Sequence, residues 1–399
     1  MWVACHRATH NFYELKRRIM IYFDNSATTP ISEEVTNAVV SGMLSYGNPS
    51  SRYEAASKSK YLISSAREYI SQLLNCKPEE IYFTSCGTES DNLGMIGYCM
   101  VNKDKGKHII TTQVEHSAVL NTCKYLEEQG FEVTYLGVDR KGRIDVDEYK
   151  QSFREDTLLV SIMAANNELG TVFPIKKLAR IAHEHNVVFF SDCVQYTPHF
   201  KTDVQELGID MLSLSGHKFF APKGVGIFFK REGINILPIM HGGHQENNLR
   251  PGTENVPYIF AIGIAAYQLN EHYDEWGSQE KELGQYFREQ LMKEDFGTLM
   301  NLNGYIKDNV PGIINVRFRG VEGRMLQTML AEHGVCCSVG SACSSGEQKP
   351  SHVLKALKLS DKQANESIRF SLNYLNTKEE IDETIKILKS CISMLLMNE

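Results

Sequence analysis

In the stretch VVFFSDCVQ at residues 187–195, a serine and an aspartate follow a run of four apolar residues. Short apolar runs that end in polar residues are typical of strands buried on both faces of a parallel sheet. Similar runs recur between residues 32 and 230, and stretches with helical spacing of apolar residues separate them. This alternation predicts an α/β fold whose mostly parallel sheet is covered on both faces.

The spacing predicts seven strands in this sheet, at residues 81–84, 108–112, 132–136, 158–164, 187–191, 211–214 and 225–229. After residue 260 the pattern changes to a long helix over 259–292, strands at 313–318 and 368–371, and helices at 322–333, 351–358 and 378–396. We therefore expect a large domain over 31–260 and a smaller α+β domain formed by 20–30 and 261–399.

Composition excludes several classes of protein. The 399 residues are 42% hydrophobic and 23% charged, as in ordinary globular proteins. A net charge of −7 gives no broad attraction for nucleic acid, and no apolar run reaches the roughly 18 residues of a membrane span. The ten cysteines include no CxxC pair and indicate reduced thiols, so we expect a cytoplasmic protein.

Residues 1–19 differ from everything that follows. They match no strand or helix pattern and lack the apolar region of a secretory signal, whereas Met20 precedes a clear strand, IYF. We expect Met20 to be the natural start and residues 1–19 to be an upstream translation or a poorly ordered extension. A short helix packed on the body is the alternative.

Polar residues follow four of the predicted strands, at the carboxyl ends where open α/β sheets bind ligands. In TSCGTES, Gly87 and Thr88 open a helix, which offers backbone N–H groups to an anion such as phosphate. In QVEHS, His116 is a candidate acid/base or stacking ring. A simple helix cap is the alternative interpretation in both loops.

The other two loops carry a carboxylate and an amine. Asp192 ends an apolar strand and, if ionised there, requires a cation such as a protonated pyridine; a helix cap is again the alternative. Lys218, in SGHKFF, is a candidate for a desolvated amine that forms Schiff bases. Its Ser-x-x-Lys spacing also occurs in penicillin-binding enzymes, but their other motifs are absent. The four loops together supply what pyridoxal phosphate requires.

Longer motifs carry a resemblance to a known family. They are YFDNSATTP at 22–30, GNPSS at 47–51, FTSCGTESDN at 83–92, EH at 115–116, NNELG at 166–170, DCVQ at 192–195, SGHK at 215–218, RPGTEN at 250–255, GSAC at 340–343 and IRFS at 368–371. Over residues 20–395 the chain resembles the pyridoxal-phosphate cysteine desulfurases of the NifS/IscS type, among the class V aminotransferases. The resemblance implies fold type I, with 31–260 as the cofactor-binding domain.

The resemblance also implies contacts to the cofactor, pyridoxal 5'-phosphate. Lys218 is expected to form the Schiff base and later to move the Cα proton, Asp192 to keep the ring nitrogen protonated, and His116 to stack on the ring and act as acid/base. The remaining implied contacts are Gln195 and Asn167 near the phenolic oxygen, and Gly87, Thr88, Ser215 and His217 at the phosphate.

Further implied roles concern the substrate and a second subunit. Asn25 and Arg369 are expected to hold the carboxylate of L-cysteine, with Arg369 as a bidentate fork. Thr253 is expected to reach the phosphate of the partner subunit, which implies a homodimer with shared active sites. No direct contact with nucleic acid or membrane is expected.

Cys343 is the implied nucleophile. It lies in a stretch rich in serine and glycine, Ser338 to Lys349, that is typical of a mobile loop. It would take sulfur from L-cysteine as a persulfide, leave L-alanine, and pass the sulfur to an iron–sulfur scaffold protein or to a tRNA-thiolation enzyme. We expect no resident metal, although Cys343 is a candidate transient ligand of an iron–sulfur cluster. Packing is the interpretation for Cys5, Cys76, Cys99, Cys123 and Cys391, and it is favoured for the adjacent pair Cys336 and Cys337. The roles of Cys86 and Cys193 are left open.

Three positions depart from the family pattern. Cys86 stands where glycine is usual, Cys193 where alanine is frequent, and Pro251 where serine is common. Proline at this last position also occurs in selenocysteine lyases, so a selenocysteine lyase is one alternative. A non-catalytic sulfur-assembly adaptor with the same fold is another, although the presence of Lys218, Asp192 and Cys343 argues against it.

Overall fold

The computed structural model describes residues 20–294, 296, 299–340 and 350–397. The expectations for residues 1–19 and for Cys343 therefore lie outside the described residues. None of the helices within these ranges combines the length and apolarity needed to cross a bilayer.

The described chain alternates strands and helices up to residue 230, as the sequence pattern predicts. The strands are β1 (Ile21–Tyr22), β2 (Ile81–Thr84), β3 (His108–Thr112), β4 (Glu132–Leu136), β5 (Thr157–Ser161), β6 (Val188–Asp192), β7 (Met211–Ser215), β8 (Gly226–Lys230), β9 (Met300–Asn303), β10 (Ile313–Phe318), β11 (Val335–Cys336) and β12 (Ser367–Ser371). The helices are α1 (Glu33–Leu44), α2 (Ala55–Leu74), α3 (Gly87–Asn102), α4 (Ser117–Glu128), α5 (Val146–Gln151), α6 (Ile175–Glu184), α7 (Val204–Leu207), α8 (Val256–Lys293), α9 (Gly323–Glu332), α10 (His352–Ala356), α11 (Asp361–Asn365) and α12 (Lys378–Met397).

The central sheet has seven strands in the order β2-β8-β7-β6-β5-β3-β4. Strand β8 runs antiparallel to both of its neighbours, and the remaining pairs are parallel. The prediction of a mostly parallel seven-stranded sheet is therefore confirmed. Because six strands point the same way, the loops after β2, β3, β5, β6 and β7 all emerge at one edge of the sheet.

The sheet is apolar on both faces because its side chains alternate between two cores. Phe189 belongs to the larger hydrophobic core, and its neighbour Phe190 belongs to the core on the opposite face. Phe229 and Phe228 divide between the two cores in the same way. Successive side chains of a strand point to opposite faces, so a run without polar residues must be covered twice.

Helix α8 links this sheet to a further core. Its first half contributes residues such as Ile262 to the larger core, whereas Phe287 and Leu291 pack with the three-stranded antiparallel sheet β12-β10-β9. Ile21 and Phe23 belong to that same further core, although they begin the described chain. Asn255 caps the start of this helix, and its side chain accepts a hydrogen bond from the amide of Tyr258. The domain boundary at residue 260 stays a prediction, since one continuous helix crosses it.

Several short elements differ from the predictions. The predicted strand over 158–164 ends at Ser161 in β5, although the amides of Ile162 and Ala164 still donate to β6 carbonyls. The predicted helix over 351–358 comprises only His352–Ala356, and Lys358 adopts a positive φ of 67°. The sequence MNLN of β9 escaped prediction because half of its residues are polar, as suits a partly exposed edge strand.

Two glycines of α8 form a matched pair for testing helix packing. A Cβ at Gly263 would lie 2.5 Å from Ala66 Cα of helix α2, whereas a Cβ at Gly277 would meet no atom within 4 Å. We expect Gly263→Ala to lower the free energy of unfolding by about 1–3 kcal/mol because α2 and α8 must move apart. Gly277→Ala should raise it by about 0.5–1 kcal/mol through helix propensity. Urea unfolding followed by circular dichroism measures both, and equal shifts would contradict this packing.

Candidate active site

A cavity of about 250 Å³ opens at the carboxyl ends of the parallel strands. Five loops meet there, following β2, β3, β5, β6 and β7. The predicted site residues that line it are Gly87, Thr88, His116, Asn167, Asp192, Gln195, Ser215, His217, Lys218 and Arg369. The loop positions inferred from the sequence are thus brought together by the sheet order.

Lys218 lies at the end of a short 3-10 turn that follows β7 directly. Its amine donates hydrogen bonds to the backbone carbonyls of Ser26, at 2.6 Å, and Ala27, at 2.8 Å. Gly216 opens the turn where space is short, because a Cβ there would lie 3.0 Å from Ala221 Cβ and from Ile262 Cδ1. The amine is therefore held at the cavity wall by a segment almost two hundred residues away in sequence.

Asp192 ends β6 and is 5% exposed. One carboxylate oxygen accepts a hydrogen bond of 2.9 Å from the amide of Val194. Burial raises the pKa of Asp192 above its ordinary value, and the nearby His116 and Lys218 oppose that rise. A positively charged ligand atom placed against this carboxylate would favour its ionised form.

Asp91 is a cavity residue to which the sequence analysis assigned no role. It is fully buried in α3 and accepts a hydrogen bond of 2.5 Å from the Ser213 hydroxyl. Polar atoms of Asp91, His116 and Asp192 all lie within 4.8 Å of one another. Burial and then the charge of Asp192 raise the pKa of Asp91 well above its ordinary value. Its position four residues after Gly87, on the same helix face, was the available signal.

His116 lines the cavity and also caps α4, so the cap considered from the sequence is observed and the acid/base or stacking role stays a prediction. Its Nδ1 accepts a hydrogen bond of 3.2 Å from the amide of Ala118. Burial lowers the pKa of His116 and favours the neutral ring. Because Nδ1 acts as acceptor, the proton of the neutral imidazole lies on Nε2.

The end of the cavity at the start of helix α3 suits an anion. Helix α3 begins at Gly87 and Thr88, so its first amides and its dipole face the cavity. A Cβ at Gly87 would lie 2.9 Å from Val194 Cγ2, which explains the need for glycine. Ser215 and His217 add polar side chains to this wall. Burial and the charge of Lys218 lower the pKa of His217 to about 4, so it is a neutral hydrogen-bonding group near pH 7.

Arg369 of β12 reaches the cavity from the smaller sheet. It is 2% exposed, and its guanidinium donates to the Asn167 carbonyl and to the Asp24 carboxylate, each at 2.8 Å. Its Nε is buried without a hydrogen-bond partner among the described residues. An unsatisfied charged donor beside a cavity indicates a site for an anionic ligand group.

Among the described residues, two predicted site residues do not line this cavity. The Asn25 amide donates to the Ser371 carbonyl at 2.9 Å, and its oxygen accepts from Asn373 at 2.8 Å. Thr253 is exposed. Cys343 lies outside the described residues. The eight described cysteines are all free thiols, and Cys86 is the one that lines the cavity.

The donor set of the cavity fits pyridoxal 5'-phosphate. A helix N-terminus with glycine suits the phosphate, Asp192 suits a protonated ring nitrogen, and Lys218 supplies an amine for the aldehyde. A protonated ring nitrogen would also offset the effect of burial on the Asp192 carboxylate.

Comparison with known proteins gives the family of the chain. The family model of class V aminotransferases matches residues 21–384. The chain belongs to the class V aminotransferase family. The resemblance inferred from the motifs is therefore confirmed, and the fold type with it.

Relatives of this class V aminotransferase include cysteine desulfurases. It is 44% identical over 376 residues to cysteine desulfurase IscS of Methanosarcina thermophila, covering 94% of this chain and 92% of the relative. It is 40% identical over 377 residues to cysteine desulfurase IscS of Clostridium botulinum, covering 93% and 94%. A solved NifS-like protein superposes with a TM-score of 0.88 at 35% identity, covering 94% of this chain and all of that one. SspA in complex with cysteine has a TM-score of 0.78 at 34% identity, covering 90% of this chain and 100% of SspA.

Glu115 lies behind the cavity wall and contacts a residue that lines it. It is fully buried, and its carboxyl group accepts hydrogen bonds from the Thr112 hydroxyl at 2.7 Å and from the amide of Met163, which lines the cavity. Burial raises the pKa of Glu115 from 4.5 to about 8. The folded protein therefore retains a proton there that the unfolded chain releases at lower pH.

This proton makes stability depend on pH. The contribution is complete below the ordinary pKa of 4.5 and is lost as the pH rises through about 8. We expect Glu115→Gln, which stays neutral, to show a smaller fall in melting temperature between pH 5 and 8.5 than the unmodified protein. Glu128→Gln, at an exposed position at the end of the following helix α4, is the control. Identical pH slopes for the Glu115 variant and the unmodified protein would contradict the assignment.

Proposed function

We propose that the protein is a pyridoxal-phosphate-dependent cysteine desulfurase. It removes sulfur from L-cysteine, leaves L-alanine, and holds the sulfur as a persulfide on Cys343. The observation that carries the proposal is the convergence of Lys218, Asp192 and His116 on one cavity that ends at a helix N-terminus. The names of its relatives, at 40–44% identity over nearly the whole chain, support the same activity.

Each wall of the cavity has a separate task in binding the cofactor. The amides of Gly87 and Thr88, with Ser215 and His217, would hold the phosphate. Asp192 would pair with the ring nitrogen, and His116 would contact the ring. Asn167 and Gln195 line the remaining wall, and the Gln195 amide is oriented by its 2.8 Å hydrogen bond to the Ser26 carbonyl. Pyridoxal 5'-phosphate, when bound, supplies an electron sink for the charge that develops beside the substrate Cα.

Arg369 binds the substrate carboxylate. The Asn167 carbonyl and Asp24 hold its two terminal nitrogens, which leaves its plane fixed and its Nε unsatisfied. A carboxylate satisfies that donor and gains a charge-assisted hydrogen bond. A role for Asn25 requires its amide to leave the Ser371 carbonyl, so this role stays a prediction.

Lys218 and His116 handle protons. The Lys218 amine, once it leaves the carbonyls of Ser26 and Ala27, can accept the Cα proton of the substrate and return it. His116 carries its proton on Nε2 near neutral pH and serves as a donor within the same cavity.

Cys343 takes the sulfur. A bond forms between its thiolate and the substrate sulfur, and the bond from that sulfur to Cβ breaks. The electron pair of the broken bond remains on carbon, which is then protonated, so that alanine and the Cys343 persulfide result. The sulfur acceptor that we propose is an iron–sulfur scaffold protein or a tRNA-thiolation enzyme of the cytoplasm.

A homodimer is part of the proposal. Helices α1 and α2 and their connection expose large apolar side chains, namely Met43, Leu44, Tyr46, Tyr53 and Tyr61. An exposed apolar patch of this kind is typical of a subunit interface. In such a dimer, the exposed Thr253 would be able to contact the phosphate of the cofactor bound in the partner subunit.

Two variants separate cofactor binding from sulfur transfer. We expect Cys343→Ala to keep the visible absorption band of the bound cofactor but to release no sulfide from L-cysteine, because the nucleophile is missing. Lys218→Ala should lose the band of the lysine-bound cofactor. Absorption spectra and alanine assays measure both, with L-selenocysteine as a second substrate. Full turnover of L-cysteine by Cys343→Ala would overturn the nucleophile assignment. If the unmodified protein turned over L-selenocysteine but not L-cysteine, it would be a selenocysteine lyase.

Arg369→Lys tests the carboxylate site. Lysine keeps the charge but loses the planar fork, so we expect the KM for L-cysteine to rise by about ten- to a hundredfold. Arg317→Lys is the matched control. Arg317 lies in β10, the strand beside β12, and forms an ion pair with Glu366 at 2.8 Å. It does not line the described cavity. Steady-state kinetics of alanine formation measure both variants. An unchanged KM in Arg369→Lys would count against carboxylate binding there.

A further inference from the structure

One buried hydroxyl holds the turn that carries Lys218. Thr29 Oγ1 donates to the His217 carbonyl at 3.1 Å, and the Thr29 amide donates to the same carbonyl at 2.9 Å. The amide of Phe220 in turn donates to Thr29 Oγ1 at 2.8 Å. The hydroxyl therefore binds the residue before Lys218 and the second residue after it.

The turn needs such support because Phe220 is in the left-handed region, with φ of 67°. Residues with a Cβ adopt this conformation at a cost, which the surroundings must offset. The Phe220 ring packs edge-on against Tyr374 and Trp276, with centroid distances of 5.1 and 5.8 Å. The packing of the rings orients the Phe220 side chain, and the Thr29 hydroxyl accepts the hydrogen bond of the Phe220 amide.

The same short segment also receives the amine. The carbonyls of Ser26 and Ala27 accept from Lys218 Nζ, so residues 26–29 contact the lysine at its tip and on both sides of its backbone. Thr29 is buried beside the backbone of the turn and is not among the residues that line the cavity. Its contacts therefore influence the direction of the amine without direct contact with a ligand.

We propose that Thr29 is a positioning residue for Lys218, and that its hydroxyl keeps the amine directed at the cofactor aldehyde. The inference rests on the proposed function, because it concerns the bond between Lys218 and pyridoxal phosphate. That bond forms as the amine nitrogen joins the aldehyde carbon and water leaves. Without the hydroxyl, the Phe220 amide loses its acceptor and the turn relaxes.

Thr29→Val tests the proposal because valine keeps the shape of threonine and removes the hydroxyl. Cofactor-free protein is mixed with pyridoxal 5'-phosphate, samples are reduced with borohydride at intervals, and modified Lys218 is quantified by mass spectrometry. We expect modification to be about tenfold slower in Thr29→Val. Thr29→Ser, which retains the hydroxyl, should react at close to the original rate.

Controls separate positioning from general destabilisation. Thr36→Val removes an exposed threonine hydroxyl that bonds within its own helix, and it should leave the rate unchanged. If the valine variant does not fold, Thr29→Ala carries the test. Unchanged modification in Thr29→Val would overturn the proposal. So would equal slowing in Thr29→Val and Thr29→Ser that follows their melting temperatures. Failure of the unmodified protein to label Lys218 would instead refute the proposed function.

Discussion

The burial of Asp192 at the end of β6 is the constraint on which the rest of the site depends. A carboxylate removed from water needs hydrogen bonds and a nearby positive charge, yet its neighbour Asp91 is another buried acid. Register places Asp192 beside Ser213 of β7, whose hydroxyl binds Asp91 and whose strand leads to Lys218. The sheet order therefore brings the two buried acids and the Lys218 amine to one cavity.

Two sheets contribute to this cavity. The large sheet supplies the loops that surround the cavity, whereas Arg369 extends into it from β12 of the smaller sheet. Residues 20–30 connect the two sheets. Phe23 packs in the core beside the smaller sheet, and the carbonyls of Ser26 and Ala27 accept hydrogen bonds from Lys218. The contacts proposed for cofactor and substrate thus come from separately packed parts of one chain, joined by helix α8 and by this segment.

Local patterns in the sequence predicted the loops of the site but not every contact within them. Apolar runs that end in polar residues marked Asp192 and Lys218, because strand ends are encoded by neighbouring residues. Asp91 escaped notice because it looks like an ordinary helix residue until β7 is placed beside it. The orientation of Asn25 depends on Ser371 and Asn373, which are about 350 residues away, so no local pattern could reveal it.

The most direct test is a crystal structure of the protein grown with pyridoxal 5'-phosphate. The account predicts electron density continuous from Lys218 into the cofactor, with the ring nitrogen against Asp192 and the phosphate at the start of α3. A cofactor bound elsewhere, or bound here with its ring nitrogen turned away from Asp192, would contradict it.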